Sequence, residues 1–132
     1  MIPINKILIL DALGEYEKGI YEYEKSRDLN IKRDPEVLLQ VSLLYKKLGN
    51  FKMSLTYVNK AINVKENSIF IEDKLLKIQG ILFAMDNDWE SAYSSFLKMN
   101  DKHQSQELIK IIESNDDIKY KNPKTAMFLS IL

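Results

Sequence analysis

The hydrophobic residues of this chain recur at intervals of three and four positions. Leu38, Val41 and Tyr45 follow this spacing in one segment, and Val58 and Ile62 follow it in another. Such spacing places apolar side chains on one face of an α-helix, whereas a half-buried strand alternates at every second position. Because strand-like alternation with turn dipeptides is missing from the sequence, the pattern predicts an all-α fold.

Three turn-forming residues, Gly14, Gly49 and Asn87, follow one another at spacings of 35 and 38 positions. Each suits the left-handed backbone conformation that ends a helix, so each predicts a tight turn between two helices. The residue after the second and third turn is a good N-cap, whereas the glutamate after the first is a poor one. The pair Asp34-Pro35 predicts a further helix start, because proline is favoured in the first helical turn.

The residues that follow these turns repeat one pattern. An aromatic residue stands two positions after the turn former, a small residue five positions after it and a large residue nine positions after it. In turn order these are Tyr16, Gly19 and Tyr23, then Phe51, Ser54 and Val58, and then Trp89, Ala92 and Phe96. Since two helices approach most closely where their side chains are small, the pattern predicts helix pairs that cross at the small residues. Gly80 is expected at such a crossing as well.

This pattern resembles the tetratricopeptide (TPR) repeat. The resemblance is fullest in G-N-F-x-x-S-x-x-x-V-x-x-A at Gly49–Ala61 and in N-D-W-x-x-A-x-x-x-F at Asn87–Phe96. Three copies near the family's period of about 34 residues imply an α-solenoid of antiparallel helix pairs, wound as a right-handed superhelix. The family's usual proline after the second helix is missing from each copy.

The resemblance also implies boundaries. Within residues 1–115 we expect three repeats, over about 1–34, 35–68 and 73–103, and then a capping helix over 104–115. The first repeat starts so close to Met1 that its first helix is expected to be short. Four additional residues separate the second and third repeats, which predicts a longer helix or a looser turn near residues 66–72.

The last segment, residues 116–132, is predicted to be a polar linker and an apolar helix. Asn122-Pro123 is a helix-start signal, and no charged residue follows Lys124. We expect this helix to pack on the domain or on a partner. Self-association through residues 123–132 is one possibility, and a self-associating fragment of a longer TPR protein is a related one.

In TPR proteins the first helices of successive repeats line a concave groove that receives a peptide or a partner helix. At the matching positions this chain has a mostly aliphatic stripe edged by lysines. The predicted groove residues are Ile4, Leu8, Leu39, Gln40, Leu43, Lys47, Lys74, Lys77, Ile78, Ile81 and Met85. An apolar groove of this kind predicts an apolar or amphipathic ligand.

One TPR subgroup binds the terminal carboxylates of chaperone tails with lysine, asparagine and arginine side chains. Ile4, Leu8 and Ile78 occupy three of the five matching positions here, and aliphatic side chains cannot bind a carboxylate. The sequence therefore predicts that this carboxylate clamp is not present.

Seven aromatic residues stand at positions of the repeat core. They are Tyr16, Tyr23, Tyr45, Phe51, Phe83, Trp89 and Phe96. We therefore expect them to pack inside the helix pairs and not to form a stacking platform for nucleic acid. Tyr21, Tyr57 and Tyr120 are expected to be less constrained.

Composition restricts the chemistry of the chain. Nineteen basic and nineteen acidic residues give no net charge, which argues against capture of nucleic acid. Without cysteine there can be no disulfide, thiol nucleophile or cysteine-bound zinc. The single histidine, His103, has no second metal ligand nearby, and the carboxylate pairs at 86/88 and 116/117 lack the spacing of a calcium loop. We expect no catalytic residue, metal site or cofactor.

The apolar run at the N-terminus contains Lys6 and ends at Asp11, so it is too short to cross a bilayer and does not resemble a secretory leader. A cytoplasmic protein without membrane insertion is expected. The predicted function is a non-catalytic adaptor or scaffold that binds a protein or peptide segment in its concave groove. The alternative is a small TPR chaperone or a peptide-sensing regulatory domain.

Overall fold

The computed structural model describes residues 3–64 and 67–114, and every regular element within those ranges is helical. The helices are α1 (Pro3–Ala12), α2 (Tyr16–Lys25), α3 (Leu29–Lys32), α4 (Pro35–Lys47), α5 (Phe51–Ile62), α6 (Ile69–Met85), α7 (Trp89–Leu97) and α8 (Lys102–Ser114). The predicted all-α fold is confirmed for this part of the chain. The predicted linker and C-terminal helix, residues 116–132, lie outside the described residues.

The three predicted turn formers all adopt the left-handed conformation. The angle φ is 77° at Gly14, 79° at Gly49 and 58° at Asn87. In each turn the amide of the turn former donates to the carbonyl three residues earlier, and the next amide donates to the carbonyl five residues before it. All six N···O distances lie between 2.8 and 3.0 Å. This is the hydrogen-bond pattern of a Schellman motif, in which backbone groups of the turn satisfy the last carbonyls of the helix.

Polar side chains cap the helices where the sequence predicted. The side chain of Asn50 accepts a hydrogen bond from the amide three residues on at 3.1 Å, and Asp88 does the same at 3.2 Å. Glu15, the predicted poor cap, makes no side-chain cap hydrogen bond. Asp34 caps α4 at 2.9 Å, with Pro35 in the first turn.

The sequence predicted a short first helix and a longer helix or looser turn near residues 66–72, and the helix lengths can be compared with both expectations. The first helix, α1, has 10 residues, whereas α4 has 13 and α6 has 17. The described part of α1 is short, as expected from its position near Met1, and α6 is longer than the other helices, as expected from the additional residues near its start. The short helix α3 was not predicted, since four residues are too few to show a helical period. Its N-cap Asp28 accepts from the Asn30 amide at 2.9 Å.

The chain forms two compact units, Met1–Ile71 and Glu72–Leu132. In the first unit, α4 and α5 cross at two serines that are fully buried. The Ser42 hydroxyl donates to the Ser54 carbonyl at 2.8 Å, and the Ser54 hydroxyl donates to the Ser42 carbonyl at 2.8 Å. Small side chains let the two backbones approach, and the reciprocal bonds satisfy both buried hydroxyls.

A second crossing in the first unit lies at Gly19 of α2. A Cβ atom added to Gly19 would lie 2.8 Å from Cδ1 of Leu44 on α4 and 3.8 Å from Cβ of Leu10 on α1. Any larger residue would therefore collide with the fully buried Leu44. The prediction of a close helix contact at Gly19 is confirmed.

Three tyrosines form an aromatic cluster in the first unit. The rings of Tyr45 and Tyr57 stack with centroids 5.5 Å apart, and the edge of Tyr23 meets Tyr57 at 5.7 Å. The expectation that Tyr57 is less constrained than the other aromatic residues was wrong, because Tyr57 packs in this cluster and is only 8% exposed. Burial raises the pKa of the Tyr23 and Tyr57 hydroxyls. Tyr21 is exposed, as predicted.

The other aromatic residues are buried to different degrees. Phe96 is buried, whereas Tyr16, Phe83 and Trp89 are half-buried. Phe51 is 40% exposed, so its placement in the core was wrong. Phe51 is the first residue of α5, and helical side chains tilt toward the N-terminus, where no preceding turn of α5 is present to cover the ring.

In the second unit, α8 is held at its N-terminal end by a carboxylate of α6. The Asp73 carboxylate accepts from the Asn100 amide at 2.7 Å, from the Asn100 side chain at 3.1 Å and from the Asp101 amide at 2.8 Å. The Ser105 hydroxyl donates to the Phe96 carbonyl at 2.6 Å. These bonds place α8 beside α6 and α7. The helix begins at residue 102, two residues before the predicted start.

Gly49 provides a test of the turn geometry. An added Cβ at Gly49 meets no atom within 4 Å, so only its positive φ penalises a side chain there. We expect Gly49→Ala to lower the free energy of unfolding by about 1–2 kcal/mol. Gly49→Asn should cost clearly less, since Asn87 adopts the same conformation in the third turn. Urea unfolding of both variants measures this, and equal losses would show that backbone conformation is not the cause.

The pH dependence of stability tests the role of Asp73. Burial raises the pKa of the Asp73 carboxyl, but the hydrogen bonds from Asn100 and Asp101 outweigh this effect and lower the pKa below its ordinary value. A carboxylate with a lowered pKa stabilises the fold above its unfolded pKa of about 3.9, and this stabilisation is lost as the pH falls through the folded pKa.

Asp73→Asn should therefore lower the free energy of unfolding at pH 7 by about 1 kcal/mol, since the partly exposed carboxylate loses its hydrogen bonds. The difference from the parent protein should shrink below about pH 4. Asp86→Asn changes an exposed carboxylate of the same unit and serves as the control. A pH-independent difference would contradict the proposed role of the ionised carboxylate.

Candidate functional site

The second unit contains an apolar pocket that is formed by α6, α7 and α8. Its volume is about 340 Å³. The lining residues are Ile81, Ala84, Met85, Trp89, Phe96, Leu108, Ile111 and Ile112. All of them are apolar or aromatic, and the indole N–H of Trp89 is the one side-chain hydrogen-bond donor among them. Such a pocket recognises a ligand by shape and apolar contact.

The floor of the pocket depends on a glycine. A Cβ added to Gly80 of α6 would lie 2.7 Å from both Cδ1 and Cζ of Phe96 on α7. The ring of Phe96 therefore occupies the space that a side chain at Gly80 would need, and the ring is only 3% exposed. The expected close contact at Gly80 is confirmed. Phe96 and the equally buried Ile112 form the deepest part of the pocket.

The rim of the pocket is exposed to solvent. Met85 ends α6 and is 46% exposed, while Ile111 near the end of α8 is 65% exposed. The left-handed turn at Asn87 joins α6 to α7 and reverses the chain. It places Trp89, the first residue of α7, at the pocket wall. A methionine rim adapts to ligands of different shape, because its side chain is unbranched and flexible.

In the second unit the structure brings only some of the predicted groove residues together. Ile81 and Met85 line the pocket. Ile78 and Lys77 are half-buried and Lys74 is exposed, and none of these three lines it. The prediction therefore located one wall of the pocket, the last two turns of α6.

The first unit carries the remaining predicted groove residues. Ile4, Gln40 and Leu43 are half-buried, and Leu8 is 42% exposed. Leu39 is only 6% exposed, which corrects its assignment to an accessible surface. The reason is that α4 contacts α1, α2, α3 and α5, and residues 37, 38 and 39 are all buried. Three consecutive buried residues cover more than half of the helix circumference, so α4 has little free surface at this level.

Lys47, the predicted lysine at the edge of the groove, interacts within the first unit. Its ammonium group forms an ion pair with the Asp11 carboxylate of α1 and lies 5.6 Å from the ring centroid of Tyr16 on α2. Lys47 of α4 thus joins three helices. Its charge is balanced by Asp11, so it is a weak candidate for binding an acidic ligand.

The sequence interpretation missed six of the eight pocket residues as ligand contacts, Ala84 among them. It placed Trp89 and Phe96 in the repeat core and assigned Leu108, Ile111 and Ile112 to a capping helix. One signal was present, because adjacent apolar residues at 111 and 112 widen the apolar sector of α8. Ile112 is buried, whereas Ile111 points to solvent beside the pocket.

The described residues offer little for other chemistry. Within residues 3–64 and 67–114, no group of three or more histidine, aspartate and glutamate side chains is placed to hold a metal ion. His103 is exposed and lies 3.1 Å from the Glu107 carboxylate on the next turn of α8. None of the helices in these two ranges is long and apolar enough to cross a membrane.

Comparison with known proteins does not identify a family. The chain matches no protein-family model and none of the curated proteins with which it was compared.

Gly80 tests how the pocket floor is built. Gly80→Ala removes a flexible residue from α6, which favours the helix, but it forces the ring of Phe96 to move. We expect a net loss of about 1–2 kcal/mol in the free energy of unfolding, because overpacking a close-packed site costs more than the propensity gain. In a Phe96→Leu background the same substitution should cost less, since the shorter side chain leaves room. Equal losses in both backgrounds would show that Phe96 is not the obstacle.

Proposed function

We propose that this protein is a non-catalytic protein–protein interaction module of the TPR type, which binds an apolar or amphipathic peptide segment. The observation that carries the proposal is the apolar pocket of the second unit, whose lining includes the predicted groove residues Ile81 and Met85. Its volume of about 340 Å³ lies within the range of about 300–1,000 Å³ that is typical of ligand pockets.

The repeated turn supports the TPR part of the proposal. Gly14, Gly49 and Asn87 stop their helices with the same pair of backbone hydrogen bonds and the same sign of φ. Gly19, Ser54 and Ala92, the small residues five positions later, are all buried. Three such turns at spacings of 35 and 38 positions support a TPR-type repeat, whose period is about 34 residues. The stacking of the helix pairs as an α-solenoid is part of this proposal.

The pocket favours a helical peptide as its ligand. An amphipathic helix presents apolar side chains at positions i, i+3 and i+4, and such a cluster fits an open apolar pocket. Burial of two leucine-sized side chains contributes roughly 3–6 kcal/mol before the cost of ordering the peptide. A dissociation constant in the micromolar range is therefore expected. The lining has no titratable side chain, which supports binding and not catalysis.

The chain provides a direct probe of this binding. Trp89 is its single tryptophan and lines the pocket, so the indole emission reports occupancy. Peptides are selected from a displayed library of amphipathic helices and titrated against the protein while Trp89 fluorescence is followed. We expect a blue shift of the emission and saturable binding in the micromolar range.

A double substitution of the rim tests the site. Met85→Glu with Ile111→Glu places two carboxylates at exposed positions, so the fold should persist while apolar binding weakens at least tenfold. Leu97→Glu is the matched control, because Leu97 is an exposed leucine of α7 that does not line the pocket. Selected peptides that bind the rim variant and the control equally well would overturn the proposed site.

A chaperone role is the second candidate. The exposed rim residues Met85 and Ile111 favour it, because a flexible apolar rim accepts many sequences. A chaperone would hold an unfolded client in solution, whereas an adaptor would bind only a defined peptide. Suppression of client aggregation by the parent protein, and its loss in the rim variant, would favour the chaperone.

A further inference from the structure

We propose that the pocket of the second unit is a docking site for the chain's own residues 123–132, so that this segment competes with external ligands. The proposal rests on the same pocket as the proposed function and names an intramolecular occupant for it. Its basis is the position at which α8 ends, together with the chemistry of the residues that follow.

The pocket lies close to the residue at which α8 ends. Ile111 and Ile112 line the pocket, and α8 ends two residues later at Ser114. Residues 115–122 are eight residues long, and an extended chain of that length reaches about 26–29 Å. The following segment can therefore return to the pocket without any change in α6, α7 or α8.

The segment matches the pocket chemically. Residues 125–132 read T-A-M-F-L-S-I-L and carry no side-chain charge, and the pocket lining carries none. As a helix started by Asn122-Pro123, the segment would place Met127, Phe128, Ile131 and Leu132 on one face. The spacing of these residues is the one that an apolar pocket receives from an amphipathic helix.

Docking would also bury apolar side chains of both the pocket and the segment. The pocket leaves Met85 and Ile111 in contact with water, and the segment has five large apolar residues in a run of six, residues 127–132. Because the two partners belong to one chain, a short connection gives an effective concentration in the millimolar range. An intrinsic dissociation constant near 100 μM would then leave the pocket mostly occupied, and a competing peptide would bind about tenfold more weakly.

The test uses the full chain and quenching of Trp89 by acrylamide. Phe128→Asp with Ile131→Asp places two charges on the docking face of the segment. We expect these substitutions to raise the Stern–Volmer constant of Trp89 about twofold, because the indole at the pocket wall becomes more accessible. Ser130→Asp places a charge on the opposite face and should leave the constant unchanged. An unchanged constant in the double variant would overturn the proposal.

The dependence on protein concentration distinguishes this chain from a second copy as the occupant. A monomer by light scattering, with a quenching constant independent of concentration, supports intramolecular docking. A dimer that dissociates in the double variant would overturn it.

A disulfide test is possible because the chain has no cysteine of its own. Met85→Cys with Phe128→Cys should form a disulfide within the monomer under mild oxidation, whereas Leu97→Cys with Phe128→Cys should not. Equal cross-linking of both pairs would overturn the proposal.

These readouts do not depend on an external ligand. If no peptide from the library binds, the proposed function fails while the quenching and cross-linking results still decide the docking. If docking is correct and peptides bind, the double variant should bind them about tenfold more tightly than the parent chain.

Discussion

Helices within each compact unit approach one another closely at residues with little or no side chain. At Gly19 and Gly80 an added Cβ would collide with a buried side chain of a neighbouring helix. At Ser42 and Ser54 two hydroxyls fit into the crossing because each donates to the carbonyl of the other serine. Since protein interiors are close-packed, a larger residue at any of these positions would force a neighbouring buried group to move.

The pocket is a consequence of this packing. Phe96 fills the space beside Gly80, and the Asp73 carboxylate together with Ser105 holds the start of α8 next to α6 and α7. The later turns of α8 then face α6 across a gap that no described side chain fills, and Ile111 remains exposed at its edge. Under the proposed function, a ligand of this pocket would be held by apolar contact and shape, because the lining has no charged side chain.

Most features that the sequence predicted correctly are local. A positive φ at Gly49 and Asn87, or a cap at Asn50, depends on the residue itself and on its immediate neighbours in the chain. Two of the wrong predictions concern contacts between helices. Tyr57 and Leu39 are buried because other helices cover them, and periodicity within one helix does not reveal which neighbours will do so.

The residues of the candidate site also divide into those that the sequence predicted and those that it did not. The helices and the three left-handed turns could be read from the sequence, because backbone conformation depends on residues that are close in the chain. Ile81 and Met85 could be named as surface residues of α6, but the positions of Trp89 and Ile111 beside them follow from the packing of α7 and α8. That outcome depends on where α8 is anchored, and the hydrogen bonds that anchor it join residues 27 and 28 positions apart in the chain.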